Sequence, residues 1–350
     1  MRLTAFFHPL ATLASVTMLA ALSLAGCGGT TPARPDAGTQ PALSSSAPPV
    51  RIGIALGGGA AKGFAHIGVI KMLEANGFAP AVVSGTSAGS VVGALYASGM
   101  NAFGMQEKAV ALDEAKIRDL QLSSGGLVLG QKLEDYVNEQ VRRKPLEQMA
   151  KPFVVVATRL EDGERTVFAR GNTGQAVRAS SSVPGVFQPV TIGKYHFVDG
   201  GIVSPVPVDA ARQLGADIVI AVDISNKARG QTPGDMLGTL GQSIAIMGQK
   251  LGQAELPRAD VIIRPQVLDI GSADFSQRTN AILEGEKAAL AVMPQIRERV
   301  AQLQAERANA ARAAQQKAAE AQYQTCLEKR SSLQKLAGMA RLDDSCTAPK

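Results

Sequence analysis

The chain of 350 residues has 45% hydrophobic and 19% charged residues, which excludes wholesale disorder and supplies one sizeable core. Its 36 Lys and Arg exceed its 30 Asp and Glu by six, but no dense basic block concentrates that excess, so the sequence argues against nucleic-acid binding. The three Cys are not arranged in close pairs, so we expect no structural zinc and no cofactor.

Residues 1–27 have the features of a bacterial secretory signal, with Arg2 before an apolar run that is too short to span a membrane. The run ends in Leu24-Ala25-Gly26-Cys27, which resembles the lipobox of bacterial lipoproteins. We therefore predict a lipoprotein signal peptide at 1–26, a lipid anchor on Cys27 and attachment to the cell envelope. Gly28 stands where an Asp marks inner-membrane retention in enterobacteria, which favours the outer membrane. The alternative is an ordinary cleaved signal followed by a chance Cys.

Residues 27–50 form the next predicted segment, a tether. They are rich in Pro, Ser, Thr and Ala and have no hydrophobic periodicity. A chain of this length has a reach of roughly 25 Å, enough to hold a domain clear of a bilayer.

From residue 51 to 292 the pattern alternates between strands and helices. Helices are predicted up to about Asn76 and Ser98, and Asp162-Gly163 indicates a hairpin turn. Predicted strands cover 50–56, 81–84, 152–160, 166–169, 195–198, 218–223 and 261–264. This alternation predicts a layered α/β domain with a mostly parallel sheet.

A C-terminal extension, 293–350, follows this domain. After Pro294 the composition predicts one long helix to about residue 335, and because 304–322 holds no large aliphatic residue, a coiled-coil seam is not expected. A solvated helix is favoured over a partner-binding or membrane-surface helix. Cys326 and Cys346 lie 20 residues apart, and either a disulfide or two free thiols fits an oxidising compartment.

Two glycine motifs in the first half of the domain suggest chemistry. Gly85-Thr86-Ser87-Ala88-Gly89 fits the G-x-S-x-G nucleophile elbow and lies between an apolar strand and a helix. Gly57 to Gly63 follows the first strand, but it fits neither a dinucleotide fingerprint nor a Walker loop. Its backbone N–H groups suit an oxyanion hole, with a plain structural turn as the alternative.

The base that would activate Ser87 is not expected to be a histidine. His8 is removed with the predicted signal peptide, and His66 is spaced along its helix like the apolar core residues. His196 lies three positions before Asp199, so the alternation of side chains along a strand places the two on opposite faces. Asp199, at a strand end before Gly200-Gly201, is the better candidate. A carboxylate base needs desolvation, so we predict that Asp199 is partly buried and close to Ser87.

Together these motifs resemble the patatin-like phospholipases, which use a Ser–Asp dyad, and the resemblance covers about 51–292. It extends to 64–69, 179–189 and 203–207, and it implies a three-layer domain. By resemblance, Ser87 is the nucleophile, Asp199 the base, and Gly58, Gly59 and Ala60 the oxyanion hole. Lys62 replaces an Arg common in the family loop. Motif-supporting positions are Lys62, Gly63, Gly85, Gly89, Gly200 and Gly201.

The implied function is a serine acyl hydrolase of phospholipase A or lipid esterase type, with membrane lipids or lipid esters as substrate. A lipid acyltransferase would use the same dyad, and a non-catalytic, lipid-anchored envelope module would explain the anchor, tether and helix without turnover. A serine peptidase is disfavoured because no histidine base is available. Residues 120–129 suggest either an entrance loop for acyl chains or buried packing, and Asp223 suggests a loop anchor. Head group, chain length and oligomeric state stay open.

Overall fold

A mixed eight-stranded sheet lies at the centre of the protein. The computed structural model describes residues 48–337, except 118, 124, 125, 229 and 231, together with Cys346. The predicted signal, Cys27 and the tether up to residue 47 lie outside the described residues. The strands are β1 (Ile52–Leu56), β2 (Val82–Thr86), β3 (Leu120–Ser123), β4 (Gly126–Val128), β5 (Phe153–Arg159), β6 (Arg165–Phe168), β7 (Val190–Ile192), β8 (Tyr195–Asp199), β9 (Ile218–Val222) and β10 (Val261–Ile263).

Five strands form the parallel half of the sheet, in the order β10-β9-β1-β2-β5. Their sequences are nearly continuous aliphatic runs, as expected for strands that are covered on both faces. The other half is antiparallel: β6 and β8 both pair with β5, and β7 pairs with β8. The sheet is therefore more evenly mixed than the sequence predicted. The predicted hairpin at Asp162-Gly163 is confirmed between β5 and β6.

Helices cover both faces of this sheet and complete three layers. They are α1 (Ala65–Ala75), α2 (Ala88–Ala97), α3 (Ala102–Val110), α4 (Gln131–Gln140), α5 (Thr173–Ser180), α6 (Val208–Gln213), α7 (Met236–Glu255) and α8 (Arg278–Ala337). Ile54 and Leu56 of β1 point into the larger core with α1, α2 and α8, whereas Ala55 points into the core with α6. The predicted layered α/β architecture is confirmed.

The start of α8 corrects the sequence prediction. The helix begins at Arg278 and contains Pro294, so the predicted boundary at 292/293 falls inside it. Pro294 lies on the exposed face, where the hydrogen bond that it removes is lost next to solvent. On the inner face, a Cβ at Gly285 would lie 2.0 Å from the Ala65 carbonyl oxygen, so α8 packs on α1 at backbone contact. From residue 304 the helix is largely exposed, as predicted.

Three further details complete the fold. Cys326 and Cys346 form a disulfide, with Cα atoms 6.0 Å apart. The hairpin of β3 and β4 occupies residues 120–128, the segment for which the sequence suggested either an entrance loop or buried packing; residues 124 and 125 lie outside the described set. Among the helices that the structure describes, none is both long enough and apolar enough to cross a membrane.

Candidate active site

Ser87 occupies a strained turn between β2 and α2. Its backbone has φ +52° and ψ −124°, a region that non-glycine residues rarely adopt, and its side chain is buried. The Ser87 N–H donates to Ser180 Oγ at 2.8 Å, and Ser90 Oγ donates to the Ser87 carbonyl at 2.6 Å. These two contacts hold the turn. Ser87, which carries the hydroxyl, is the residue immediately before α2.

Close backbone approaches around this turn explain the glycines of the elbow. A Cβ at Gly89 would lie 2.1 Å from the Leu56 carbonyl oxygen, and a Cβ at Gly85 would lie 2.6 Å from the Gly89 carbonyl oxygen. No side chain fits either position without moving β1 or α2. The sharp turn at Ser87 therefore depends on both flanking glycines, as the motif requires. Two more of the glycines predicted to support the motifs are also crowded. A Cβ at Gly63 would lie too close to Ala88, and a Cβ at Gly200 would lie too close to Val156.

Asp199 lies at the end of β8, and β5 separates it from Ser87. Thr86 pairs with Val156 on one side of β5, and Asp199 pairs with Ala157 on the other. The Asp199 N–H donates to the Ser182 carbonyl at 2.9 Å, and its carboxylate Oδ1 accepts from the Gly201 N–H at 2.7 Å. The sheet register thus brings the predicted nucleophile and the predicted base to the same edge of the sheet.

The Asp199 carboxylate is 7% exposed. Burial raises its pKa from 3.8 to about 6, against the opposing effects of the Ser87 hydroxyl and the Gly201 N–H. The hydroxyl is near enough to act on this pKa, although Oδ2 has no hydrogen-bond partner of standard geometry among the described residues. Such contacts are often loose before substrate binds. Oδ2 is therefore the acceptor open to the Ser87 proton.

Neither described histidine reaches Ser87. His66 is fully buried and donates from Nε2 to the Gly57 carbonyl at 2.8 Å, and burial lowers its pKa to about 4. His196 lies on the other face of β8 from Asp199, and its Nδ1 is 2.8 Å from Glu161 Oε1. The structure agrees with the expectation that His66 is a core residue and that His196 points away.

The glycine loop supplies fewer free N–H groups than the sequence predicted. The Gly58 N–H donates to the Pro205 carbonyl at 3.0 Å, so this group is not available to an oxyanion, which corrects the prediction for Gly58. Among the described residues, no acceptor takes the N–H of Gly59 or of Ala60. Gly58 still shapes the site, because a Cβ there would lie 3.2 Å from the Ser87 Cβ.

Two charged residues near the loop have structural contacts. Lys62 is buried, and its Nζ donates to Asn226 Oδ1 in the loop that follows β9. Asp223 accepts from the Ser225 N–H and hydroxyl and pairs with Arg264 at 3.4 Å. Asp223 therefore anchors its own loop, as predicted.

Glu255 is the supporting residue that sequence reasoning missed. It is buried at the end of α7, and burial raises its pKa. It accepts hydrogen bonds from the Ser204 hydroxyl and from the Val206 N–H. Backbone carbonyls of the same segment accept hydrogen bonds from the Gly58 N–H and from the Thr86 hydroxyl. Glu255 therefore holds in place the segment that contacts both the glycine loop and the nucleophile elbow. A single acid at a helix end gives no signal in the sequence.

Ser180 was also not assigned a role, although it lies in the predicted 179–189 segment. Its hydroxyl donates to the Val156 carbonyl at 2.5 Å while accepting from Ser87. Within the described residues, no group of three or more His, Cys, Asp or Glu is spaced to hold a metal ion.

Parts of the chain are similar to a known protein family and to individual proteins. Residues 54–212 match the family model described as patatin-like phospholipase. An uncharacterised NTE family protein of Mycobacterium tuberculosis is 35% identical over 188 residues, which are 53% of this chain and 52% of that protein. Patatin-like phospholipase domain-containing protein 6 of Homo sapiens is 30% identical over 232 residues, 63% of this chain and 16% of that protein. Lysophospholipase NTE1 of Pyricularia oryzae is 31% identical over 181 residues, 50% of this chain and 12% of that protein. The chain thus spans about half of the mycobacterial relative and less than a fifth of the other two.

Proposed function

We propose that the chain is a serine acyl hydrolase of lipid esters, because residues 54–212 match the family model described as patatin-like phospholipase. The proposed type is a phospholipase A or a lipid esterase. The matched residues contain the glycine loop, Ser87 and Asp199.

The observation that carries this proposal is the environment of Asp199. A carboxylate with its usual pKa of 3.8 is a weak base, whereas burial brings this one to about 6. That is about a hundredfold gain in basicity, toward the value at which a general base works best near neutral pH. The Ser87 hydroxyl is near enough to lower the pKa of this carboxyl, and Oδ2 has no hydrogen-bond partner among the described residues. Burial, basicity and a free acceptor atom thus coincide beside a serine on a strained turn.

The first half of the proposed reaction forms an acyl-enzyme. Ser87 Oγ attacks the ester carbonyl carbon, and its proton passes to Asp199 Oδ2. The carbonyl oxygen becomes an oxyanion, which the N–H groups of Gly59 and Ala60 and the free N–H groups at the start of α2 stabilise. The tetrahedral intermediate then collapses, the ester C–O bond breaks, and the proton returns from Asp199 to the leaving alcohol.

In the second half, water attacks the acyl group on Ser87. Asp199 Oδ2 accepts a proton from this water, and the oxyanion forms again in the same position. Collapse releases the fatty acid and returns the proton to Ser87 Oγ. Preorganised N–H donors of this kind contribute about 100- to 1000-fold each to kcat, so Gly59 and Ala60 account for a large part of the rate.

The test compares wild type with Ser87→Ala and Asp199→Asn on p-nitrophenyl esters and on phospholipid vesicles. Asp209→Asn is the matched control, since Asp209 is a surface carboxylate paired with Arg258 at 2.8 Å. We expect turnover to fall at least 1000-fold in both site variants and to stay near wild type in the control. In wild type, kcat/KM should rise with pH through about 6, because Asp199 acts in its ionised form. An inert wild type, or site variants that match it, would overturn the proposal.

For its location, we propose that the chain is anchored in the bacterial cell envelope through a lipid on Cys27, and that the membrane to which it is attached is the outer membrane. The support is the Leu24-Ala25-Gly26-Cys27 sequence behind an apolar run. Labelling with palmitate and membrane fractionation test this proposal. Wild type should incorporate label and sediment with membranes, and Cys27→Ala should incorporate none; label in the variant would contradict the assignment.

A further inference from the structure

Helix α7 carries four large apolar side chains that are exposed to solvent. Met236 is 82% exposed, Leu240 36%, Ile246 45% and Met247 46%, and we call these four residues the α7 outer face. The opposite side of the helix carries small residues, among them the buried Gly252. A surface helix normally buries its large apolar side chains and exposes its polar ones. In α7 Ile244 and Leu251 are half-buried, but these four side chains are exposed, and Met236, Leu240 and Met247 share one face of the helix, which leaves an apolar strip in contact with solvent.

This helix runs beside the candidate active site. A Cβ at Gly248 would lie 4.0 Å from the Gly201 carbonyl oxygen, in the turn that directly follows Asp199. Farther along, Glu255 of the same helix binds Ser204 and Val206. Because a helix with its side chains is about 10 Å across, Ile246 and Met247 lie within roughly that distance of the turn. Leu240 and Met236 lie farther along the helix axis, about 12 and 18 Å from Gly248 at 1.5 Å per residue.

The charges on α7 complement an anionic surface. From Met236 to Ala254 the helix has no acidic residue, and its one charged side chain, Lys250, is exposed. Lys227, in the loop before the helix, is exposed as well. The carboxylate next to the strip is Asp235, and its Oδ1 caps the helix by accepting from the Gly238 N–H at 2.6 Å. An apolar strip with lysines beside it is the pattern of a helix that lies in the interface of an anionic membrane.

We propose that the α7 outer face docks on the surface of an anionic lipid bilayer and so presents the Ser87 site to lipid. The value of this docking to the reaction rests on the proposed function; the docking itself does not need turnover. In the docked state the four apolar side chains enter the boundary between head groups and acyl chains, and Lys227 and Lys250 meet the lipid phosphates.

The absence of Trp from the chain permits a direct test. In the full-length Ser87→Ala protein, which cannot digest the vesicles if Ser87 is the nucleophile, Leu240→Trp creates a single fluorescent reporter on the α7 outer face. Val110→Trp is the matched control, at an exposed apolar position of α3. Vesicles of phosphatidylethanolamine and phosphatidylglycerol with brominated acyl chains quench only a side chain that enters the bilayer. A lipid anchor on Cys27 would bring both reporters to the vesicle but would not immerse either one.

We expect the Leu240→Trp reporter to shift to the blue and to be quenched, while the Val110→Trp reporter is unchanged. Adding Met247→Asp should lower the vesicle partition coefficient about tenfold, and replacing phosphatidylglycerol by a zwitterionic lipid should lower it about fivefold for each lysine. An unquenched reporter at position 240, or equal quenching at both positions, would overturn the proposal. A concentration-dependent blue shift without lipid would also overturn it, because a second copy of the chain would then cover the face.

Turnover separates this proposal from the proposed function. If both hold, Met247→Asp lowers hydrolysis of vesicle lipids about tenfold more than hydrolysis of a soluble ester. If Ser87 has no hydrolytic role, the quenching pattern is unaffected. Quenching without hydrolysis therefore refutes the proposed function alone, and hydrolysis without quenching refutes the docking alone.

Discussion

Replacing Asp199 by Asn should stabilise the protein while it removes activity. The pKa of the folded carboxyl is about 6, against 3.8 for an ordinary Asp. Between these two values the folded chain binds its proton more tightly than the unfolded chain does, so the free energy of unfolding falls as pH rises through this window. With about 1.4 kcal/mol for each pKa unit, the ionised carboxylate costs about 3 kcal/mol at pH 8. That cost disappears in Asp199→Asn.

The net gain depends on the hydrogen bonds of the new amide. Its oxygen keeps the bond from the Gly201 N–H, which Oδ1 accepts at 2.7 Å in wild type. Its NH2 group takes the place of Oδ2, and from there we expect it to donate a hydrogen bond to the oxygen of Ser87. With that bond made, the expected stabilisation at pH 8 is about 2–3 kcal/mol. For a domain of this size, that is a rise in Tm of a few degrees. An NH2 group left unpaired would cost about 1–3 kcal/mol and would offset most of this gain.

Unfolding in urea at pH 4 and at pH 8 measures this effect. The advantage of Asp199→Asn should be near zero at pH 4 and full at pH 8. Asp209→Asn is the control with opposite sign, because the Arg258 hydrogen bond lowers the pKa of Asp209. It should be less stable than wild type at both pH 4 and pH 8, because the contribution of a lowered pKa is lost only as pH falls below the ordinary value of 3.8. The reasoning is refuted if Asp199→Asn has the same stability as wild type at pH 8, or if its advantage does not change with pH.

Three further substitutions test the supporting contacts. Ser180→Ala removes the acceptor of the Ser87 N–H; steady-state kinetics and urea unfolding should show at least a tenfold lower kcat and a loss of about 1–2 kcal/mol. Gly59→Ala would put a Cβ 2.7 Å from a backbone oxygen and should reduce both kcat and the free energy of unfolding. Gly241→Ala is the control: a Cβ there has no atom within 4 Å, so its free energy of unfolding should rise by up to about 1 kcal/mol. Glu255→Ala leaves two donors unpaired and should cost about 3 kcal/mol by the same assay. In Glu255→Gln the amide oxygen accepts from the Val206 N–H and the NH2 group donates to the Ser204 hydroxyl, which reverses that bond, so this variant should lose less than half as much.

The parts of the fold that sequence reasoning predicted correctly are those that local patterns determine. Continuous aliphatic runs identified β1, β5 and β9, because a strand covered on both faces has no polar side to interrupt it. The hairpin at Asp162-Gly163 followed from turn chemistry, and Gly163 does have a positive φ of +74°. The three-residue strands β4 and β7 were missed, since a run that short has no recognisable period, whereas β10 is equally short but was predicted because it is a continuous aliphatic run.

The errors and omissions have a common origin in contacts between distant residues. Pro294 reads locally as a break, but the helix continues because residues on its inner face, such as Ile282 and Ile296, are buried against the domain. Whether the Gly58 N–H is free depends on the Pro205 carbonyl, which is 147 positions away in the chain. Glu255 likewise acts on a segment that it meets only in the folded protein. No local pattern encodes such pairings.

One peptide carbonyl in β5 shows how the fold makes the site depend on sheet register. The Val156 carbonyl accepts from Ser180 Oγ, and Ser180 in turn holds the Ser87 N–H. A Cβ at Gly200, the residue that follows Asp199, would lie only 2.1 Å from this same carbonyl oxygen. A slip of β5 by one residue against either neighbour would turn the paired side chains to the opposite face and separate the serine from the carboxylate. The strained elbow and the buried acid are therefore stabilised by the same central strand, and we expect local loosening of β5 to disable both together.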